Sequence, residues 1–169
     1  LTKRHNIPEL AFEDYLRFRG LPYIAVREEL RPVYRGRKVK NLDFIVTSPG
    51  KENALVDIKG KRHSAGSGRK TGKWENWILA EDIEALAFWE RCFGRSFTGL
   101  LVFIYEIGSP EYRADFAEVH EFAGRHYGLL AVPSRIYREN MVVRSVKWDT
   151  RSIPSKVFRS VARPVSAYL

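Results

Sequence analysis

Leu42-Asp43-Phe44-Ile45-Val46-Thr47, then Ser48-Pro49-Gly50-Lys51-Glu52-Asn53, then Ala54-Leu55-Val56-Asp57-Ile58-Lys59: the reading of residues 42–59 decides the fold. The outer runs are apolar and β-branched, and Ser48-Pro49-Gly50 between them is a turn signal, so the spacing predicts a β-hairpin. Side chains two residues apart on a strand share a face, which puts Asp57 and Lys59 side by side. A charge inside a strand this apolar is costly to bury unless it is paired or binds a cation. Asp43, Asp57 and Lys59 on neighbouring strands therefore predict a site.

Upstream, Pro8 to Arg19 reads as a helix, with Phe12, Tyr15, Leu16 and Arg19 at helical spacing and Gly20 placed to end it. Tyr23 to Val26 reads as a short strand, and Arg31 to Lys40 as a basic connection. Downstream, Gly60 is expected to end the second hairpin strand. A glycine-rich basic loop follows to Trp74, carrying Lys61, Arg62, Arg69, Lys70 and Lys73. A helix is expected from Glu81 to Phe93, with Ile83, Leu86, Ala87 and Phe93 inward and Gly94 as its stop. Thr98 to Ile107 contains Leu100-Leu101-Val102-Phe103-Ile104-Tyr105, the strongest buried-strand signal in the chain. Phe116–Phe122 and Tyr127–Val132 read as a second hairpin turning near Gly124, and Ser134 and Ser155 are placed to cap short helices. The pattern predicts one α/β domain spanning residues 1–169. Its mixed central sheet is flanked by helices and extended by a C-terminal β-hairpin and short helices.

The chain has 169 residues, long enough for a sizeable core, and 44% hydrophobic content agrees. Lys and Arg number 29 against 20 Asp and Glu, a net charge of +9 that favours polyanionic partners. A single cysteine, Cys92, excludes an internal disulfide framework and is read as a small core hydrophobe in a reducing, cytoplasmic setting. No run of about eighteen apolar residues and no charged-then-apolar leader is seen, so no membrane partner is expected.

Several chemistries are excluded by spacing. Five residues separate Gly66 from Gly72-Lys73 where a phosphate-cradling loop needs about four, and Trp74 stands where Ser or Thr would hold magnesium. His5, His63, His120 and His126 are scattered without zinc-ligand spacing, and no nucleophile elbow occurs. Two carboxylates on adjacent strands can instead hold Mg²⁺ or Mn²⁺, and a nearby ammonium can orient water or offset developing charge. Glu13, if the first helix packs beside the strands, can complete the metal shell or accept a proton. The alternatives are a surface Glu13–Arg17 pair and a buried Asp57–Lys59 salt bridge.

Glu13 in an opening helix, a strand with Asp43, then Asp57-x-Lys59 on the next strand resembles the PD-(D/E)xK nuclease superfamily. The order helix, three strands, helix, strand is similar to its common core over about residues 9–106, leaving 107–169 as an extension. The early Glu and the size are most similar to archaeal-type Holliday junction resolvases. Phe12-Glu13 and the tail Arg144-Ser145-Val146-Lys147-Trp148 also resemble an uncharacterised bacterial family named for a His-Tyr-Glu motif, where this chain has Ile7-Pro8-Glu9. Leu42 replaces the proline of the superfamily pattern, and Asp57 replaces its more frequent Glu. The resemblance implies a restriction-endonuclease-like fold and Mg²⁺- or Mn²⁺-dependent cleavage of nucleic acid, chiefly DNA. It implies Asp43, Asp57 and the Ile58 carbonyl as metal ligands, with Lys59 assisting the water and Glu13 in support. Arg62, Arg69, Lys70 and Lys73 would grip the phosphate backbone, Trp74 or Trp77 would be available for stacking, and a homodimer would suit a two-fold substrate. Two other readings fit the same residues: a nuclease-fold protein that binds nucleic acid without cutting it, and a protein-interaction module.

Overall fold

The hairpin forms as β4 (Phe44–Val46) and β5 (Asn53–His63), antiparallel, with Phe44 opposite Val56 and Val46 opposite Ala54. The computed structural model describes residues 6–27, 31–64 and 74–169. Gly60 does not end β5, contrary to the sequence expectation. It lies mid-strand where Pro8 packs on the backbone, and a Cβ there would stand 2.4 Å from Pro8 Cγ. The glycine serves a close approach, not a turn.

In chain order, α1 (Ile7–Phe18) leads to β1 (Tyr23–Ala25). The basic connection holds a small hairpin of its own, β2 (Val33–Tyr34) and β3 (Arg37–Lys38), turning through Arg35 and Gly36, both at positive φ. After β4 and β5 come β6 (Ile78–Leu79), α2 (Ala80–Phe93) and β7 (Phe97–Ile107). Then follow β8 (Val119–Phe122), β9 (Arg125–Pro133), α3 (Ser134–Asn140), β10 (Val142–Ser145), β11 (Thr150–Ser152), α4 (Ser155–Val161) and β12 (Arg163–Pro164).

The central sheet has seven strands in the order β1-β4-β5-β7-β9-β12, with β8 paired to β9. β5 and β7 run parallel, from Asn53 opposite Phe97 to His63 opposite Ile107. A parallel pair needs a crossover, which α2 supplies. The expected C-terminal hairpin is β8–β9, and its second strand joins the central sheet by pairing antiparallel with β7.

Strand alternation sorts the core onto two faces. Phe44, Val46, Val56, Ile58, Leu100, Val102 and Ile104 meet Phe12, Tyr15 and Leu16 of α1. Leu55, Leu101, Phe103 and Tyr105 meet Ile83 and Leu86 of α2, Tyr137 of α3 and Phe158 of α4. A second sheet, β10-β11-β6, abuts the start of α2. No helix among the described residues is long and apolar enough to cross a membrane.

Three further expectations are corrected. Phe93 is 38% exposed and Cys92 is exposed, because the last turn of α2 projects beyond the face that meets the sheet. Ser134 and Ser155 are first helical residues preceded by Pro133 and Pro154, and neither helix has a side-chain cap. Ser134 Oγ instead donates to Glu90 Oε2 at 2.7 Å, tying α3 to α2.

Candidate active site

Asp43 stands where the chain enters β4. Its amide donates to Val56 O at 2.8 Å and its carbonyl accepts from Val26 at 2.9 Å, which locks the backbone between β1 and β5. Its carboxylate turns along the hairpin, and Oδ2 accepts the Ile58 amide at 2.6 Å. Asp57 and Lys59 point to the face covered by α2, as the period of two requires. Lys59 Nζ lies 2.6 Å from Asp57 Oδ2 and 2.8 Å from Asp82 Oδ2. Asp57 is buried, so the Lys59 ammonium is the charge that answers its carboxylate.

Asp82 is the residue that sequence reasoning missed. It sits in the first turn of α2, where its Oδ2 accepts the Leu79 amide at 2.9 Å and satisfies an otherwise free helix-start donor. Its other oxygen pairs with Lys40, whose carbonyl in turn accepts from Trp89 Nε1 at 2.9 Å. Lys40, the last residue of the basic connection, thus belongs to the cluster. Asp43, Asp57 and Asp82 against Lys40 and Lys59 carry a formal surplus of one negative charge.

The electrostatics follow from burial and this arrangement. Burial pushes the Asp57 carboxyl up to about 7; Lys59 pulls it down, while Asp43 and Asp82 push it further up. Burial also opposes the charges of Lys59 and Asp82, but their mutual attraction overrides it. Lys59 is held above the usual lysine range by Asp57 and Asp82, and Asp82 below the usual carboxylate range by Lys59 and Lys40.

The other expected site residues are placed differently. Glu13 lies on α1, which covers the face opposite Asp57 and Lys59. There it accepts from Arg17 at 3.0 Å and from the Tyr23 hydroxyl at 2.9 Å, the surface pair weighed above, and it is not brought together with the other three. Arg62 is exposed at the far end of β5, on the rim of a cavity of about 420 Å³ that Lys61, Glu75 and Trp77 also line. Arg69, Lys70 and Lys73 lie outside the described residues. Trp74 packs against His63, Tyr105 and Phe116, so it anchors the strand end. Among the described residues no group of three or more His, Cys, Asp or Glu is arranged to hold a metal ion.

Seen against solved structures, the chain is similar to the Holliday junction resolvase Hjc of Archaeoglobus fulgidus, an archaeal hyperthermophile. The TM-score is 0.51 and the identity 12%, over 95% of this chain and 96% of that one. The chain has a restriction-endonuclease-like fold. No protein-family model matches it, so the likeness to the His-Tyr-Glu family rests on the residues alone. No curated protein matches it in sequence.

Proposed function

We propose that the chain is a divalent-metal-dependent endonuclease that hydrolyses phosphodiester bonds in DNA, with Asp43, Asp57 and Lys59 as its working residues. The observation that carries the reading is the meeting of two carboxylates and an ammonium on one hairpin of a resolvase-like fold. The donor set suits Mg²⁺ or Mn²⁺. Both carboxylates offer hard oxygens, and the repulsion between Asp43 and Asp57 is what a cation relieves. Mg²⁺ keeps several waters and takes further oxygens from substrate phosphate, so a third carboxylate is not required. When bound, it would acidify a coordinated water and offset charge on the phosphoryl oxygens.

The chain's own residues divide the remaining work. Asp43, fixed by the Ile58 amide, would hold its carboxylate beside Asp57, with the Ile58 carbonyl as a further oxygen. Asp57 would carry a proton near neutral pH and surrender it on metal binding, which makes metal affinity rise with pH. Lys59 is held too firmly protonated to accept a proton, so its role would be electrostatic: orienting water or offsetting charge on the phosphate. Glu13, on the other face, has no part in this scheme. Arg62, with Arg69, Lys70 and Lys73, would contact the backbone of the substrate.

The run Lys40–Asp82–Lys59–Asp57 favours a second reading, in which the charges fasten α2 to the hairpin and the protein binds nucleic acid without cutting it. Calorimetric titration of Mg²⁺ and Mn²⁺ beside a cleavage assay on branched and linear duplexes separates the two. We expect Asp43→Asn and Asp57→Asn to lose metal binding and cleavage, and Lys59→Ala to lose cleavage with metal binding retained. Wild-type protein that binds DNA but neither metal nor cleaves would establish the second reading.

A further inference from the structure

Between β10 and β11 the chain makes a tight turn whose side chains do nothing for the core. Val146 is 87% exposed and Trp148 is 68% exposed, whereas the other three tryptophans are half-buried. The turn is nonetheless well fixed. The Asp149 amide donates to Val146 O at 3.2 Å, the Trp148 amide to Ser145 Oγ at 3.3 Å, and Asp149 adopts a φ of 44°. Cations accompany the aromatic rings. Lys147 Nζ lies 5.2 Å from the Trp148 ring centre, and the Arg144 guanidinium lies 5.3 Å from the Trp77 ring centre, with Lys61 Nζ at 3.5 Å from the same ring. The one carboxylate of the turn, Asp149, is paired with Arg151 at 2.9 Å.

The turn also has an address. Asp149 O accepts the amide of Ala80, the first residue of α2, at 2.9 Å, and Asp82 in the same helical turn holds Lys59. We propose that this hairpin tip, Val146 to Trp148, is a wedge that stacks on unpaired bases of nucleic acid beside the candidate active site. The proposal rests on the nucleic-acid reading above and adds a preference for substrates with unstacked bases. An exposed indole with the Lys147 ammonium beside it suits a base next to a phosphate, because every base has a stacking face and the phosphate supplies the opposite charge. A second copy of this chain would bring the same positive charges to the contact, which disfavours it as the occupant.

The test is fluorescence anisotropy in EDTA with wild type, Trp148→Ala and Lys147→Ala, on a blunt duplex and a duplex of equal paired length with a single-stranded tail. Trp148→Ala should lose about tenfold in affinity for the tailed DNA and less than about twofold for the duplex. Lys147→Ala should weaken both and reduce the slope of log affinity against log salt by about one. A 2-aminopurine at the first unpaired position should be quenched by wild type and not by Trp148→Ala. Equal binding of the tailed DNA by wild type and Trp148→Ala overturns the wedge, and with wild-type cleavage intact it leaves the nuclease reading standing. The reverse pattern, a selective loss in Trp148→Ala with no cleavage under any metal, supports the wedge and removes the catalytic reading. A wild-type dimer that Trp148→Ala dissociates, with DNA affinity unchanged, makes the tip a contact between copies and overturns the proposal.

Discussion

Asp57 titrates at 3.8 in its ordinary setting and at about 7 in the folded chain, so between those values the folded state holds the extra proton. Stability must then fall as pH rises through this window, because burial outweighs the pull of Lys59; a carboxyl whose pKa folding lowers would do the reverse. Urea unfolding in EDTA at pH 4 and pH 7 should show wild type losing more stability than Asp57→Asn, by about 1 kcal/mol or more. Equal losses would mean that Asp57 is charged when folded. The same proton opposes a cation, so Mn²⁺ should raise the melting temperature of wild type more at pH 8 than at pH 6, and Asp57→Asn should lose that contrast. Asp57 and Lys59 were legible because a strand's period fixes which side chains are neighbours. Asp82 was not, because a first-turn acid reads as an ordinary helix start, and its meeting with Lys59 depends on how α2 crosses β5. Glu13 misled for a related reason: a helix displays its acids in the sequence, but not the sheet face it will cover.

α2 is bound to the hairpin by charge as well as by packing. Removing Asp82 leaves Lys40 and Lys59, each about 15% exposed, without their shared partner. Asp82→Ala should therefore cost about 3 kcal/mol in urea unfolding, and adding Lys40→Met should restore part of it. A smaller loss, near the size of a surface substitution, would show the cluster to be fully solvated. Two glycines mark where other elements touch. A Cβ at Gly128 of β9 would stand 2.2 Å from the Phe116 ring, so Gly128→Ala should cost about 2 kcal/mol, and Gly60→Ala should do the same by pushing Pro8 and α1 off β5. Calorimetric melting of the two variants tests both. These glycines also show where element boundaries escaped the sequence. Gly60 looks like a terminator in one dimension, whereas its reason for being glycine is a proline about fifty residues earlier, a contact that only the fold creates. The long buried strand β7 was plain because a short, unbroken apolar run with β-branched and aromatic residues suits a strand covered on both faces.

Across the molecule the net charge of +9 gives a long-range field for phosphate. Affinity for duplex DNA should fall steeply with salt, and the triple variant Arg69→Ala, Lys70→Ala, Lys73→Ala should give a shallower slope by about three if each meets a phosphate. An unchanged slope would take that segment off the contact surface. The central elements α1, β4, β5, α2 and β7 were readable because helical spacing, strand alternation and turn signals agree there. The β10-β11-β6 sheet was not readable, since β6 has two residues and no pattern of its own. The parallel pairing of β5 with β7 has a kinetic consequence. The β4–β5 hairpin can close locally as soon as it is made, but the β5–β7 rungs join residues 44 positions apart, as in Asn53 with Phe97. Such a closure is entropically late. A nascent chain therefore exposes the apolar edge of β5 to the cell until residues near 107 have been synthesised, and that edge is where a chaperone, or a second unfinished chain, would first take hold.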